Sequence, residues 1–208
     1  MKIFTSNLKE NLNKETNEKI ILLIMNIVFG TVKKPVVEML LKYLMELYNE
    51  YTKTKMRDQG IVLNQLITII HTCVLSLSAY VQLENDTRVK VFDLTNYHIE
   101  IHGCESEGIN MISAITLAFK KDVKMELLDR YVGYVIQGLD MLHQKETFRA
   151  ALNCLADFAR SNDSRITNRL APFFQKLVQY MHSDIDKDLK SQIIRCFGDL
   201  SLGLKNCV

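Results

Sequence analysis

The chain has little proline and little glycine for its length. Only 2 prolines and 8 glycines occur among 208 residues, whereas average usage would give about ten prolines and about fifteen glycines. All-β folds use both residues in their many turns, so this scarcity argues against a sandwich or a barrel and favours long helices. Hydrophobic residues make up 48% of the chain, which is enough for a folded core and argues against disorder.

The chain also lacks an excess of either charge. Lysine and arginine number 26 and aspartate and glutamate number 24, which gives a net charge of +2. No large single-sign field is expected from such a balance, so the composition does not indicate a dedicated nucleic-acid-binding protein. We therefore predict no nucleic-acid partner.

No hydrophobic run is long enough to cross a membrane. The longest covers residues 20–25 and continues over 27–29 after Asn26, far short of the roughly 20 residues that a membrane span needs. The N-terminus lacks the short apolar segment of a signal peptide. The five cysteines are odd in number and form no CxxC motif, which favours reduced intracellular thiols. These features predict a cytosolic or nuclear protein with no membrane insertion.

Apolar residues recur at spacings of three and four through most of the chain, as on one face of an amphipathic helix. Polar or glycine-containing breaks divide this pattern into about nine helices. Among these, 87–101 is rich in β-branched and aromatic residues, which weakens its helix prediction. The predicted bounds are 17–30, 35–52, 60–79, 87–101, 108–120, 124–142, 146–160, 166–182 and 188–204.

The helices group into pairs that repeat about every 40 residues, the period of HEAT-like α-solenoids. One pair cannot bury its apolar stripe alone, but stacked pairs bury it against each other. The fold class predicted is all-α, a right-handed HEAT-repeat α-solenoid fragment of about 4–5 helix pairs forming a single array over 1–208. An irregular helix bundle is the structural alternative. The approximate repeats are 17–52, 60–101, 108–142, 146–182 and, incomplete, 188–208.

The last third of the chain resembles a known family. Within 147–204, three features carry the resemblance: APFF at 171–174, KSQII at 190–194 and FGDL at 197–200. Together they resemble the importin-beta (karyopherin-beta) family, in the HEAT repeats of its C-terminal half. The match covers about a quarter of the chain and indicates a fragment of a longer receptor.

This resemblance implies a nuclear transport function without catalysis. A receptor of this family holds cargo, or an importin-alpha-type adaptor, on the concave face that the second helices line. It binds the Ran GTPase, and it takes Phe-Gly repeats of nucleoporins in shallow pockets between neighbouring first helices. The implied location is the cytoplasm, the nucleus and the nuclear pore complex. A generic HEAT-repeat scaffold or regulatory subunit for protein–protein interaction is the alternative.

Candidate partner-binding residues follow from this resemblance. Acidic residues of a second helix would pair with a basic cargo signal, basic residues of the next would form a patch for Ran, and phenylalanines of first helices would form pocket walls. The alternatives are an ordinary solvated face for the charges and core positions for the rings. The candidates are Glu126, Asp129 and Asp140, then Arg169 and Lys176, then Phe148, Phe158 and Phe197.

Signals for catalysis, metal or cofactor are weak. No GxSxG and no glycine-rich phosphate loop occurs, and the pairs His71/Cys73 and His102/Cys104 would point to different helix faces. A metal site from His98, His102 and Cys104 lacks a second matching pair of ligands; the alternative is two protonated histidines that suit a helix C-terminus. We predict no enzyme activity, no metal and no cofactor, with an enzyme on a helical bundle as the remaining alternative.

The acidic turn at 184–188 has two interpretations. Its carboxylates could contact a basic partner, or they could cap the helix that follows. Carboxylates at a helix start accept backbone N–H bonds and suit the positive end of the helix dipole. We therefore favour capping.

Overall fold

The computed structural model describes residues 34–53, 59–78, 83–161, 164–167 and 169–205. Within those ranges the regular structure is helical and no strand occurs, which confirms the all-α class. The chain divides into two compact units, Met1–Tyr80 and Val81–Val208. The division falls inside the predicted repeat 60–101, whose boundaries stay predictions. The predicted helix 17–30 lies outside the described residues.

The first unit contains two described helices packed against each other, α1 (Lys34–Tyr51) and α2 (Gln59–Ser78). Their apolar faces form a core in which Leu41, Ile67 and Ile70 are fully buried. By length and composition α2 is apolar enough to cross a membrane, with a mean hydropathy of 1.3 over Gln59–Ser76. The core helix of a water-soluble protein has the same properties, and half of this segment is buried. The absence of membrane insertion stays a prediction.

The second unit begins with α3 and continues through helices joined by short turns. A 3₁₀ turn at Lys120–Asp122 follows α4, and Gly103 ends α3 with a φ of 79° that favours glycine. The helices are α3 (Asn85–His102), α4 (Ser106–Phe119), α5 (Met125–Asp140), α6 (Lys145–Arg160), α7 (Ser164–Thr167), α8 (Ala171–His182) and α9 (Lys187–Lys205).

First helices of the predicted repeats pack on each other in the order α4, α6, α9. Helix α5 packs against α4 and α6, α3 packs against α4, and α8 packs against α9. Close approach depends on small residues. A Cβ on Gly138 of α5 would lie 2.5 Å from Ile109 Cδ1 and 3.2 Å from Ala151 Cβ. Because side chains of α4 and α6 take up that space, a larger residue at this crossing would require the Ile109 side chain to move.

Two local predictions had different outcomes. The segment 87–101 is helical as predicted, because its β-branched residues Val91, Thr95 and Ile99 share one buried face. The predicted single helix 166–182 is wrong: α7 ends at Thr167 and α8 begins at Ala171. Pro172 lies in the first turn of α8, where its ring does not allow an α-helix to continue from the residues before it.

Candidate partner-binding site

Charged residues predicted for cargo and Ran pair with each other, along the second helices and the turn before α8. Arg169 donates from Nε to Asp129 on α5. Lys176 of α8 lies 2.5 Å from Asp140 Oδ1, and the Tyr180 hydroxyl donates to the same oxygen at 3.0 Å. The hydrogen bond from Arg169 holds the pKa of Asp129 below its usual value. Asp129 and Asp140 therefore already have cationic partners within the chain.

Glu126 differs from the other two predicted acids. It lies exposed in the first turn of α5 and makes no ion pair with a described residue. Of the three carboxylates, it is the one that a basic partner reaches without displacing an internal cation.

We expect the Asp140–Lys176 pair to be weak. Asp140 is 56% exposed, and exposed pairs contribute about 0.2–1 kcal/mol. In a double-mutant cycle with Asp140→Asn and Lys176→Met, measured by urea unfolding, the coupling should lie near 0.5 kcal/mol. A coupling above about 2 kcal/mol would contradict this and make Asp140 a fixed structural residue that no cargo could recruit.

A groove of about 290 Å³ lies between α6 and α9. Buried residues Leu152, Ala156 and Cys196 form its apolar floor. Polar residues form its rim: Arg149, Asn153, Gln192, Arg195 and Asp199. The resemblance implied a pocket between first helices such as these, but the sequence pointed to none of these lining residues, because a groove is formed by two helices together.

Ion pairs between α6 and α9 span this groove and its ends. Arg149 lies 2.5 Å from Asp188, and Lys145 lies 2.7 Å from Asp186. Arg160 joins Asp157 on its own helix to Asp199 on α9, both at 3.0 Å. The cations of these pairs all come from α6, and the acids come from α9 and the turn before it, so the two first helices are matched in charge along their length.

The three predicted pocket phenylalanines do not line the groove. Phe148 and Phe158 are buried on α6, and the Phe148 ring meets the Tyr180 ring edge-on with centroids 5.7 Å apart. Phe197 is half-buried against Phe174, with centroids 5.9 Å apart. This corrects the expectation that the rings of Phe148 and Phe158 are pocket walls, because both rings belong to the core between the helix layers.

A second groove of about 470 Å³ lies between α3 and α5. Arg88 spans one end of it, donating to Asp122 and, at 2.9 Å, to Asn85 Oδ1. Val89, Phe92 and Leu127 supply apolar surface and Asp93 and Lys124 supply charges of both signs. Such a lining can hold an extended peptide with mixed side chains. No motif in the sequence predicted this groove.

The histidines at the end of α3 are not both charged. His98 is fully buried, and burial, with a smaller contribution from His102, lowers the pKa of His98 to about 4. Its ring lies 4.8 Å from that of His102. His98 is therefore neutral at pH 7, and the interpretation of two protonated histidines at a helix end is wrong for it. Cys104 donates to the Tyr134 carbonyl at 2.8 Å, and burial raises its pKa to about 11.

In the part of the chain that the structure describes, no group of three or more histidine, cysteine or acidic residues is arranged to hold a metal ion. The acidic turn before α9 acts as a cap, as predicted. Asp186 Oδ1 accepts the backbone N–H of Asp188 at 3.0 Å, and the hydrogen bond from Lys145 holds the pKa of Asp186 below its usual value.

Comparison with known families agrees with this architecture. Residues 25–206 match the model of a family described as importin subunit beta-1-like, TPR repeats. No curated protein and no solved structure matches the chain. The match covers most of the chain, well beyond the segment 147–204 that carries the sequence resemblance, and it supports the interpretation of the helix pairs as an all-α HEAT-repeat fold. The chain therefore belongs to the importin subunit beta-1-like repeat family.

Proposed function

We propose that this chain is a segment of a nuclear transport receptor that carries protein cargo into the nucleus. The groove between α6 and α9 is the observation that supports this most. It lies between successive first helices, inside the family match, and its floor is apolar. A phenylalanine side chain of a nucleoporin Phe-Gly repeat would bury its ring on Leu152, Ala156 and Cys196.

The polar rim suits weak and fast binding. Arg195 makes no ion pair with a described residue, so its guanidinium is available to lie over an aromatic ring, an interaction that contributes about 0.5–1 kcal/mol at exposed sites. A small groove that takes one ring allows rapid release. Passage through the pore needs many such short contacts.

The second-helix face would bind cargo or an importin-alpha-type adaptor, and the Ran GTPase in its GTP state would release it. The proposed contact points are Glu126, Asp129, Asp140 and the groove between α3 and α5. The two aspartates would exchange their internal cationic partners for cations of the cargo. Long side chains join α5 to α8 and to the turn before it, whereas α4, α6 and α9 pack directly. Small rotations between neighbouring repeats would therefore change the distances between second helices more than the distances between first helices. We place the protein in the cytoplasm, the nucleus and the nuclear pore complex.

A HEAT-repeat scaffold without a transport role is the second candidate. Its support is that two of the three predicted cargo acids, Asp129 and Asp140, are already paired within the chain. The two candidates differ in Phe-Gly binding, which a scaffold lacks.

The test is fluorescence anisotropy of a labelled Phe-x-Phe-Gly peptide, with a Ser-x-Ser-Gly peptide as the control ligand. We expect saturable binding of the phenylalanine peptide alone. Gln192→Trp, which fills the groove from its rim, should weaken binding of the phenylalanine peptide at least tenfold. Gln179→Trp, on the exposed side of α8, is the matched control and should bind as the wild type does. Equal responses to both peptides would favour the scaffold.

A further inference from the structure

The space between α3 and α5 is open, whereas the space between the next two second helices is bridged. Between α5 and α8, Asp140 accepts hydrogen bonds from Lys176 and Tyr180. Asp93 of α3 and Lys124 at the start of α5 line the open groove, and neither makes an ion pair with a described residue. Both walls are consecutive second helices of one unit, so no further repeat of the array would fill the space between them.

Ion pairs mark the two ends of this groove. Arg88 of α3 donates to Asp122 at one end. Arg130 of α5 donates to Glu100 at 3.4 Å, one turn of α3 beyond Asn96. Arg88 and Glu100 lie about 18 Å apart along α3, because an α-helix rises about 1.5 Å per residue. An extended chain advances about 3.3 Å per residue, so about five extended residues span this distance.

The lining offers apolar surface and an amide that lacks a partner. Val89, Phe92 and Leu127 supply the apolar surface, and the Phe92 ring meets the Phe119 ring edge-on with centroids 5.3 Å apart. Asn96 Oδ1 is buried and accepts no hydrogen bond within the described ranges. A buried acceptor without a partner costs free energy. If this amide turns toward the groove, it can accept a peptide N–H and donate to a peptide carbonyl.

The charges of the lining are of both signs. Arg88 and Asp122 neutralise each other at one end. Asp93 and Lys124 are exposed and lie on opposite walls of the groove. A ligand segment with charges of one sign would be repelled by one of these two residues, whereas a segment with both signs would be attracted by both.

We propose that the groove between α3 and α5 binds an extended peptide segment in which an apolar residue lies between an acidic and a basic residue. The apolar side chain would pack on Phe92 and Leu127. The acid would pair with Lys124, the base with Asp93, and Asn96 would hold the peptide backbone. The inference rests on the proposed cargo-binding function for the kind of partner, a protein segment, and adds the side-chain chemistry that this groove selects.

The probe is a labelled peptide, Ser-Gly-Glu-Leu-Lys-Gly-Ser, titrated with the full chain at low salt and followed by fluorescence anisotropy. Two like-charged peptides carry Glu or Lys on both sides of the leucine, and a fourth peptide replaces the leucine by serine. We expect the mixed-charge peptide to bind about fivefold more tightly than either like-charged peptide, since each of those loses one exposed ion pair and gains a repulsion. The difference should shrink as salt is added, and the serine peptide should bind more weakly than the mixed-charge leucine peptide. Equal affinity for the three leucine peptides would overturn the proposal.

Charge-reversal variants locate the binding site. In Lys124→Glu the two-lysine peptide should become the tightest ligand, and in Asp93→Lys the two-glutamate peptide should, because each variant makes the two groove charges alike. Lys187→Glu is the matched control for Lys124→Glu. Lys187 is an exposed lysine at the start of α9, outside the groove, so this variant should keep the wild-type order of affinities. A wild-type order in both groove variants would overturn the proposal.

Asn96→Ala tests the contact with the peptide backbone. This variant should weaken all three leucine peptides by a similar factor and leave their order unchanged, because the backbone is common to them. Wild-type affinities in this variant would overturn the role of Asn96. Failure here is distinct from failure of the transport function: loss of Phe-Gly binding with an intact peptide preference would overturn transport alone, and the reverse result would overturn the groove proposal alone.

Discussion

Replacing Phe148 by alanine is expected to lower the free energy of unfolding by about 3–5 kcal/mol. Phe148 is fully buried on α6 and meets the Tyr180 ring of α8 edge-on, so its removal leaves a cavity between the two helix layers. Edge-to-face ring contacts add about 0.5–1.5 kcal/mol to the burial of the ring. Urea unfolding followed by circular dichroism measures the change.

Phe197→Ala is the matched control for Phe148→Ala. Because Phe197 is half-buried, its replacement should lower the free energy of unfolding by clearly less, about 1–2 kcal/mol. In native buffer, Phe148→Ala should still bind the Phe-x-Phe-Gly peptide if it remains folded. A near-normal unfolding free energy together with lost peptide binding would show that the Phe148 ring is a pocket wall rather than a core residue.

Acidification is expected to destabilise the protein through His98. Burial lowers the His98 pKa from 6.5 to about 4, so between these values the unfolded chain takes up a proton that the folded chain does not. The contribution of neutral His98 to the free energy of unfolding is therefore fully present above pH 6.5, and it falls as the pH drops toward 4. The difference between the two pKa values corresponds to about 3 kcal/mol.

The measurement is the unfolding free energy at several pH values from 7 down to 4. His98→Gln should reduce the slope in this range, because glutamine does not titrate. His143→Gln is the control, since His143 is exposed, and it should keep the wild-type slope. An unchanged slope in His98→Gln would show that carboxylates, not His98, cause the acid sensitivity.

The helices could be predicted because their signal is local. Apolar spacing predicted α3 correctly although Val91, Thr95 and Ile99 prefer strands, since all three lie on one buried helical face. The same spacing did not reveal the break between α7 and α8. A proline in the first turn of α8 and a proline within a longer helix give similar apolar patterns, and only the backbone geometry distinguishes them.

The site was harder to predict because it depends on pairs of helices. Sequence alone showed Asp129 and Arg169 as charges on separate second helices, and it offered external partners for both. The structure pairs them, since Arg169, in the turn before α8, lies one repeat after Asp129 of α5. The repeat period itself could have found such pairs, because cations and acids about 40 residues apart recur at Lys145 and Asp186 and at Arg149 and Asp188.

Burial of the phenylalanines also depends on neighbours that the sequence does not show. Phe148 and Phe197 both lie on first helices with similar apolar patterns. The Phe148 ring is covered by Tyr180 of α8, whereas Phe197 keeps part of its ring exposed beside Phe174. No spacing rule separates the two positions, so the groove between α6 and α9 could be found only from the packed helices.

The central claim is that this repeat array is part of a nuclear transport receptor. Its most direct test is the partition of the fluorescently labelled chain into a hydrogel of Phe-Gly repeats, beside an inert globular protein of the same 24.0 kDa mass. We predict that the chain is enriched in the gel over the inert protein and that Gln192→Trp lowers this enrichment while Gln179→Trp does not. Exclusion of the folded wild-type chain to the same degree as the inert protein would contradict the transport function.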